Sequence, residues 1–219
     1  MGSEERRDTA LPEGAKPVQT YSTTRLEAFS DGVYAIAITL LILEIKVPPL
    51  ARIEALGLWR TLGEQWPSFV AYVLSFAVIG IMWSNHHNVF RFIARTDQTL
   101  ILLNSGLMFC TAFLPFPTAV LADCLPSASA RQQATVFYGL TLTVTAVFYN
   151  ALWLYAVRTR RLVAPETDQW RLDAITAEFR WGPLVYAVAT AVAFVSAAAS
   201  LSLHGLAAIV YAIPRRSRP

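Results

Sequence analysis

The chain has 219 residues, of which 55% are hydrophobic and 15% charged, with a formal net charge of +3. That balance is too apolar for a water-soluble domain of this size and points to an integral membrane protein. Two cysteines, Cys110 and Cys124, are too few for a disulfide framework or a metal site, and basic residues confined to short segments between apolar runs argue membrane topology, not nucleic-acid binding.

The segment before the first apolar run is polar and carries both signs of charge, including Glu4, Arg6, Arg7, Asp8 and Lys16. That order does not fit a cleavable secretory signal, so the first apolar run is expected to stay in the mature protein. A membrane-spanning helix needs about 20 apolar residues. The pattern predicts helices over about Thr24 to Val47, Ser68 to Phe92, Gln98 to Ala122, Gln133 to Val157, Trp181 to Ser200 and Leu201 to Ile213. The last two share one apolar stretch, and their turn is expected near Ser200 to Gly205, where Ser200, Ser202, His204 and Gly205 interrupt the pattern.

Charge tests this division. Of the eighteen Lys and Arg residues, one side takes only Lys46, Arg52, Arg60 and Arg131; the other takes all the rest, from Arg6 to Arg218. Cytoplasmic loops carry such an excess, so six spans with both termini in the cytoplasm fit, whereas five would put the Arg-rich tail outside. The expectation is one all-α membrane domain over residues 24–213, between cytoplasmic tails at 1–23 and 214–219, in a multi-pass protein of the plasma membrane.

The first span opens with Phe29-Ser30-Asp31-Gly32. Ser30 or Asp31 could be a simple N-cap. Upstream, however, Thr24-Arg25-Leu26-Glu27 has the form of a capping box, which would start the helix at Arg25 and leave Ser30 and Asp31 one to two turns inside. A carboxylate there needs a partner or a wet cavity. The returning helices bring Trp83, His86, His87 and Asn104 to the same depth, so an imidazole, the Trp83 indole N–H or the Asn104 amide is the expected partner, with Arg25 adding a charge-assisted contact. Adjacent histidines point about 100° apart and make a poor chelating pair.

On the same helix Gly32, Ile36, Leu40 and Leu43 form one stripe, extended by Phe29 and Val47 and flanked by Thr39. Lipid contact or plain helix packing explains most such stripes. A narrow hydrophobic constriction would use the same residues if several copies met at an axis. Periodicity leaves both readings open.

Arg25-x-x-x-Phe29-Ser30-Asp31, followed by the run from Ala35 to Leu41, resembles the signature of the transmembrane protein 175 potassium-channel family. Trp83-x-x-His86-His87-x-x-Phe90, Asn104 and Pro115-Phe116-Pro117-Thr118 are similar to it as well, so the resemblance spans the first three helices. It implies six helices per subunit, a homotetramer in the lipid bilayer, and a pore lined by the first helix. On that basis Ile36, Leu40 and Leu43 form the pore constriction and Thr39 a polar ring contributing to selectivity. The anchoring network of the pore helix is then Arg25, Phe29, Ser30, Asp31, Trp83, His86 and Asn104. The implied function is moderately selective, passive conduction of K+, with no catalytic residue, metal or cofactor. The rival is a proton-coupled carrier using Asp31 and His86 or His87; a membrane enzyme built on the histidine pair lacks any nucleophile or cofactor signature beside it.

Overall fold

The computed structural model describes residues 21–212. Residues 1–20 and 213–219 lie outside them, and with them most of the tail expected at 1–23 and all of that expected at 214–219. A two-residue strand, β1 (Tyr21–Ser22), leads into α1 (Thr24–Leu40), which tightens into a 3-10 turn at Leu41–Glu44. Two seven-residue helices follow, α2 (Leu50–Leu56) and α3 (Leu58–Glu64). Gly57 between them has φ of +83°, a conformation that costs a glycine nothing and any other residue strain. Next come α4 (Trp66–Phe90), strand β2 (Arg95–Thr96) and α5 (Gln98–Phe113). Then follow α6 (Pro115–Cys124), α7 (Arg131–Arg158), α8 (Gln169–Phe179), α9 (Gly182–Val192) and α10 (Ala197–Ala212).

Four segments are long and apolar enough to cross a membrane: Thr24–Glu44, Trp66–Phe90, Gln98–Cys124 and Arg131–Arg158. Their bounds agree with the first four expected helices to within a few residues. The third is a single rod with a break at Leu114, because Pro115 has no N–H to continue the ladder.

The end of the chain departs from the sequence reading. The turn expected at Ser200 to Gly205 lies instead at residues 193–196, and both Ser200 and His204 are helical and buried within α10. Their polar atoms do not punctuate the helix; they bind neighbouring backbone. Ser200 Oγ donates to the Ala189 carbonyl at 2.7 Å, and His204 Nδ1 lies 2.8 Å from the Ser200 carbonyl. The fifth expected helix begins within one residue of Trp181 but ends at Val192, short of Ser200. Helix α8 precedes it, and a break at Arg180 and Trp181 separates α8 from α9.

Helix α1 packs between α4 and α5, while α7 lies against α5, α6, α9 and α10. The shared core includes Tyr34, Ala37, Val78, Ile79, Leu107, Leu142 and Trp153, all nearly inaccessible. At the end where α1 begins, β1 pairs antiparallel with β2, Tyr21 opposite Thr96 and Ser22 opposite Arg95. Asp97, directly after β2, caps α5. Its carboxylate accepts the Leu100 N–H at 3.0 Å, the Tyr155 hydroxyl at 2.8 Å and Arg161 at 3.2 Å. Burial raises the pKa of this carboxyl, but the hydrogen bonds from Leu100, Tyr155 and Arg161 outweigh burial and hold it below its ordinary value.

Candidate functional site

The α1 helix begins at Thr24, as the apolar pattern predicts and one residue before the start that the capping box implies, and the capping box does not form. Strand pairing ends at Ser22, so Thr23 takes the N-cap position without a side-chain cap and Thr24 falls in the first turn. Ser30 and Asp31 do sit one to two turns inside the helix.

Two faces of α1 divide sharply. Ser30, Tyr34 and Ala37 are buried against α4 and α5, and Leu41, at the start of the 3-10 turn, against α4 and α6. On the opposite edge Phe29 is 54% exposed, Ile36 61%, Leu40 41% and Leu43 60%. Gly32 continues this edge, with nothing within 4 Å of the position a Cβ would take. The 3-10 turn aligns its upper end, because residues three apart eclipse in that geometry and Leu43 therefore stands over Leu40.

Thr39 lies on the flank of this edge, exposed. Its hydroxyl donates to the Ile36 carbonyl at 2.9 Å, so the proton is already engaged. What the side chain offers to the adjacent space is an oxygen acceptor, which suits a cation. Above it, the Lys46 ammonium donates to the Leu43 carbonyl at 2.8 Å and occupies an otherwise free acceptor at the helix end.

The expected anchoring residues divide into two sets. The inner set is a directed chain: His86 Nε2–H donates to Asn104 Oδ1 at 2.8 Å, Asn104 Nδ2 donates to Ser30 Oγ at 3.0 Å, and Ser30 O–H donates to the Leu26 carbonyl at 2.8 Å. The imidazole N–H and amide orientation follow from the network, since Ser30 has only one proton and the Leu26 carbonyl takes it. Ser30 and Asn104 are fully buried and His86 is 2% exposed. The His86 ring is seated between Tyr34, edge-on at 5.5 Å, and Phe90, stacked at 4.3 Å. One chain of hydrogen bonds thus links α1, α4 and α5.

The outer set is one pair. Trp83 Nε1–H donates to Asp31 Oδ1 at 2.9 Å on the exposed flank, and the Trp83 ring stacks on His87 at 6.3 Å. The hydrogen bonds of Asp31 and those of His86 belong to separate sets. Arg25 is exposed and makes no ion pair among the described residues, and Phe29 belongs to the exposed edge. Among the described residues no group of three His, Cys, Asp or Glu side chains could hold a metal.

Sequence reasoning missed Tyr34, whose ring braces His86, and Asp97, although an Asp directly before an apolar run was a legible cap. It also missed a second buried polar cluster. There Ser75 Oγ lies 2.8 Å from Thr118 Oγ1 and 3.1 Å from the Tyr138 hydroxyl, and Thr190 Oγ1 lies 3.2 Å from Thr143 Oγ1 and 3.4 Å from His204 Nε2. Gly139 lets these helices meet, for a Cβ there would stand 2.5 Å from Thr190 Oγ1.

Residues 25–115 match the family model described as "Endosomal/lysosomal potassium channel TMEM175". The chain is 46% identical over 191 residues to a potassium channel of Chamaesiphon minutus, covering 87% of this chain and 94% of that protein. A solved structure of a lysosomal potassium-selective channel TMEM175 homolog from the same organism superposes with a TM-score of 0.78 at 42% identity, covering 87% of this chain and 96% of that one. The Bos taurus protein named "Endosomal/lysosomal proton channel TMEM175" is 36% identical over 148 residues, 65% of this chain and 30% of that protein.

Proposed function

The chain belongs to the TMEM175 family of potassium channels, and from that premise we propose that four copies meet with the exposed edge of α1 turned to a shared axis. The protein is a potassium channel. Potassium moves down its electrochemical gradient through the passage so formed, and conduction involves no covalent chemistry. The observation that carries this reading is the division of α1: an apolar edge of Phe29, Ile36, Leu40 and Leu43 without cover, backed by a buried face held to α4 and α5 through the Ser30, Asn104 and His86 hydrogen bonds.

Ile36 makes the tightest ring of this arrangement, with Leu40 and Leu43 beyond it and Thr39 supplying oxygen acceptors alongside. A bare cation cannot enter an apolar neck without losing most of its hydration energy, so conduction requires the open ring to admit partly hydrated ions. Discrimination between K+ and Na+ is then moderate. Opening follows from rotation of α1: side chains reach about 5 Å from the helix axis, so a turn of about 20° moves the Ile36 tip by about 2 Å. The two anchoring sets hold the rotation angle, because both grip α1 one to two turns from its start.

The fifth crossing in this reading is α8 with α9 and the sixth is α10, with both termini in the cytoplasm of a plasma-membrane protein. Alone, α9 has 11 residues and α10 has 16, short of the 20 or so for a full bilayer. Proton permeation is the second reading, favoured by the name of the Bos taurus relative. Against a relay through Asp31 and His86 stands the separation of their hydrogen bonds.

Single-channel recording in bilayers, with K+ on one side and Na+ on the other, tests the proposal. The expected result is unitary current whose reversal potential favours K+ modestly and ignores a proton gradient. Saturating flux without unitary steps, driven by a proton gradient, would refute it.

A further inference from the structure

At the break between α8 and α9 a cationic side chain lies beside a cavity. Asn150 Nδ2 donates to the Phe179 carbonyl at 2.6 Å and Trp153 Nε1 to Thr176 Oγ1 at 2.9 Å. The end of α8 is therefore pinned alongside α7 at Asn150, eight residues before the Arg158 end, or about 12 Å along the axis. Helix α7, 28 residues long, exceeds a hydrocarbon core of about 30 Å by about 6 Å at each end. Arg180 is thereby about 6 Å below the boundary on the Arg158 side.

Arg180 is exposed and has no ion pair among the described residues; its guanidinium carbon lies 4.8 Å from the centroid of Trp181, which is 50% exposed. Glu178, half-buried, is two residues back and so about 160° round the helix. An arginine at this depth reaches back to the interface, where a phosphodiester accepts its planar fork in two parallel hydrogen bonds. Trp181 is the aromatic partner usual at that level.

Directly beside this pair is a partly open cavity of about 70 Å³, lined by Phe179 and Gly182 of the break and by Met82, Leu142, Ala146 and Tyr186 among others. That is several times the 10 to 15 Å³, roughly, that one water needs on the same measure, and a mainly apolar site of this kind takes hydrocarbon in preference to water.

We propose that the α8–α9 break binds an anionic phospholipid, with its phosphodiester on Arg180 and the end of one acyl chain in the cavity. An anionic headgroup is favoured over a zwitterionic one because nothing paired with the guanidinium offsets the charge. None of the residues lining the cavity belongs to α1, so the site stands whether or not α1 lines the pore.

The test is native mass spectrometry of the delipidated full-length channel given phosphatidylglycerol and phosphatidylcholine of matched chains. Wild type is expected to retain phosphatidylglycerol preferentially. Arg180→Gln should cut that retention about fivefold with little effect on phosphatidylcholine, and Arg180→Lys should keep most of it. Ala146→Phe, or Ala146→Leu if the larger residue prevents assembly, should lower retention of both lipids. An unchanged headgroup preference in Arg180→Gln, full retention in the cavity-filling variant, or displacement of the lipid by soluble glycerol phosphate at equal concentration would each overturn the proposal.

Discussion

Asn104→Leu probes the inner anchoring chain where it is least replaceable. Asn104 bridges Ser30 on α1 and His86 on α4, and the substitution keeps volume while removing both contacts. His86 N–H loses its acceptor and Ser30 Oγ its donor, with no water in reach of groups that are 0–2% exposed. An unsatisfied buried group costs about 1–3 kcal/mol in soluble proteins, but hydrogen bonds between membrane helices average about 0.6 kcal/mol, because the separated helices find other partners. Two lost bonds, partly offset by the apolar Leu, give an expected loss of about 2 kcal/mol. For a chain of this size that is a drop of about 4–8 °C in the melting temperature. Thermal-shift size exclusion of the detergent-solubilised protein measures it, and a double-mutant cycle with Ser30→Ala isolates the α1–α5 bond. A variant melting at or above wild type, with no coupling to Ser30→Ala, would refute the anchoring argument. Replacing all three, Ser30→Ala with His86→Phe and Asn104→Leu, should recover much of the loss, since none of the three positions then carries a side-chain polar atom to be orphaned.

Ile36→Asn should raise unitary conductance or relax discrimination against Na+; identical permeation would exclude Ile36 from the ring. Thr39→Val keeps shape but removes the oxygen acceptor, and bi-ionic reversal potentials should move toward equal K+ and Na+ permeability, an unmoved potential counting against a Thr39 ring. Asp31→Ala and Trp83→Phe both break the outer pair, and each should chiefly reduce the yield of intact assembly; normal assembly with altered selectivity would contradict an anchoring role. Asp97 supplies a pH test: its carboxyl is held below the usual value of about 3.9 in the folded chain. Its contribution is thus present above the unfolded pKa and lost as pH falls through the depressed folded one. Asp97→Asn should destabilise at neutral pH and flatten the acid limb of the stability profile below about pH 4, whereas curves parallel to wild type would show that the carboxylate contributes nothing.

How much of this was legible in the sequence depended on the length of the signal. The first four spans are long apolar runs, and helical spacing alone placed Ser30, Trp83, His86 and Asn104 at one depth. The pairing within that layer was not legible. Spacing leaves Asp31 several partners; in the structure the indole takes it while the imidazole and amide serve Ser30. Ser200 and His204 were misread because a polar residue in an apolar run marks a turn in water, yet in a membrane bundle it can bond to backbone inside the core. Helices α2, α3 and α8 left little trace, for α2 buries no residue and α3 and α8 one each, Thr61 and Leu172.

The central claim, that the Ile36 edge faces a shared aqueous axis, is tested most directly by Ile36→Cys with Cys110 and Cys124 removed. Silver ion, soluble in water and close to K+ in size, is applied during bilayer recording. Lasting block of the variant, with the cysteine-free parent unaffected, is the predicted result. Current untouched by silver while a lipid-soluble maleimide labels the same thiol would place Ile36 against acyl chains and contradict the account.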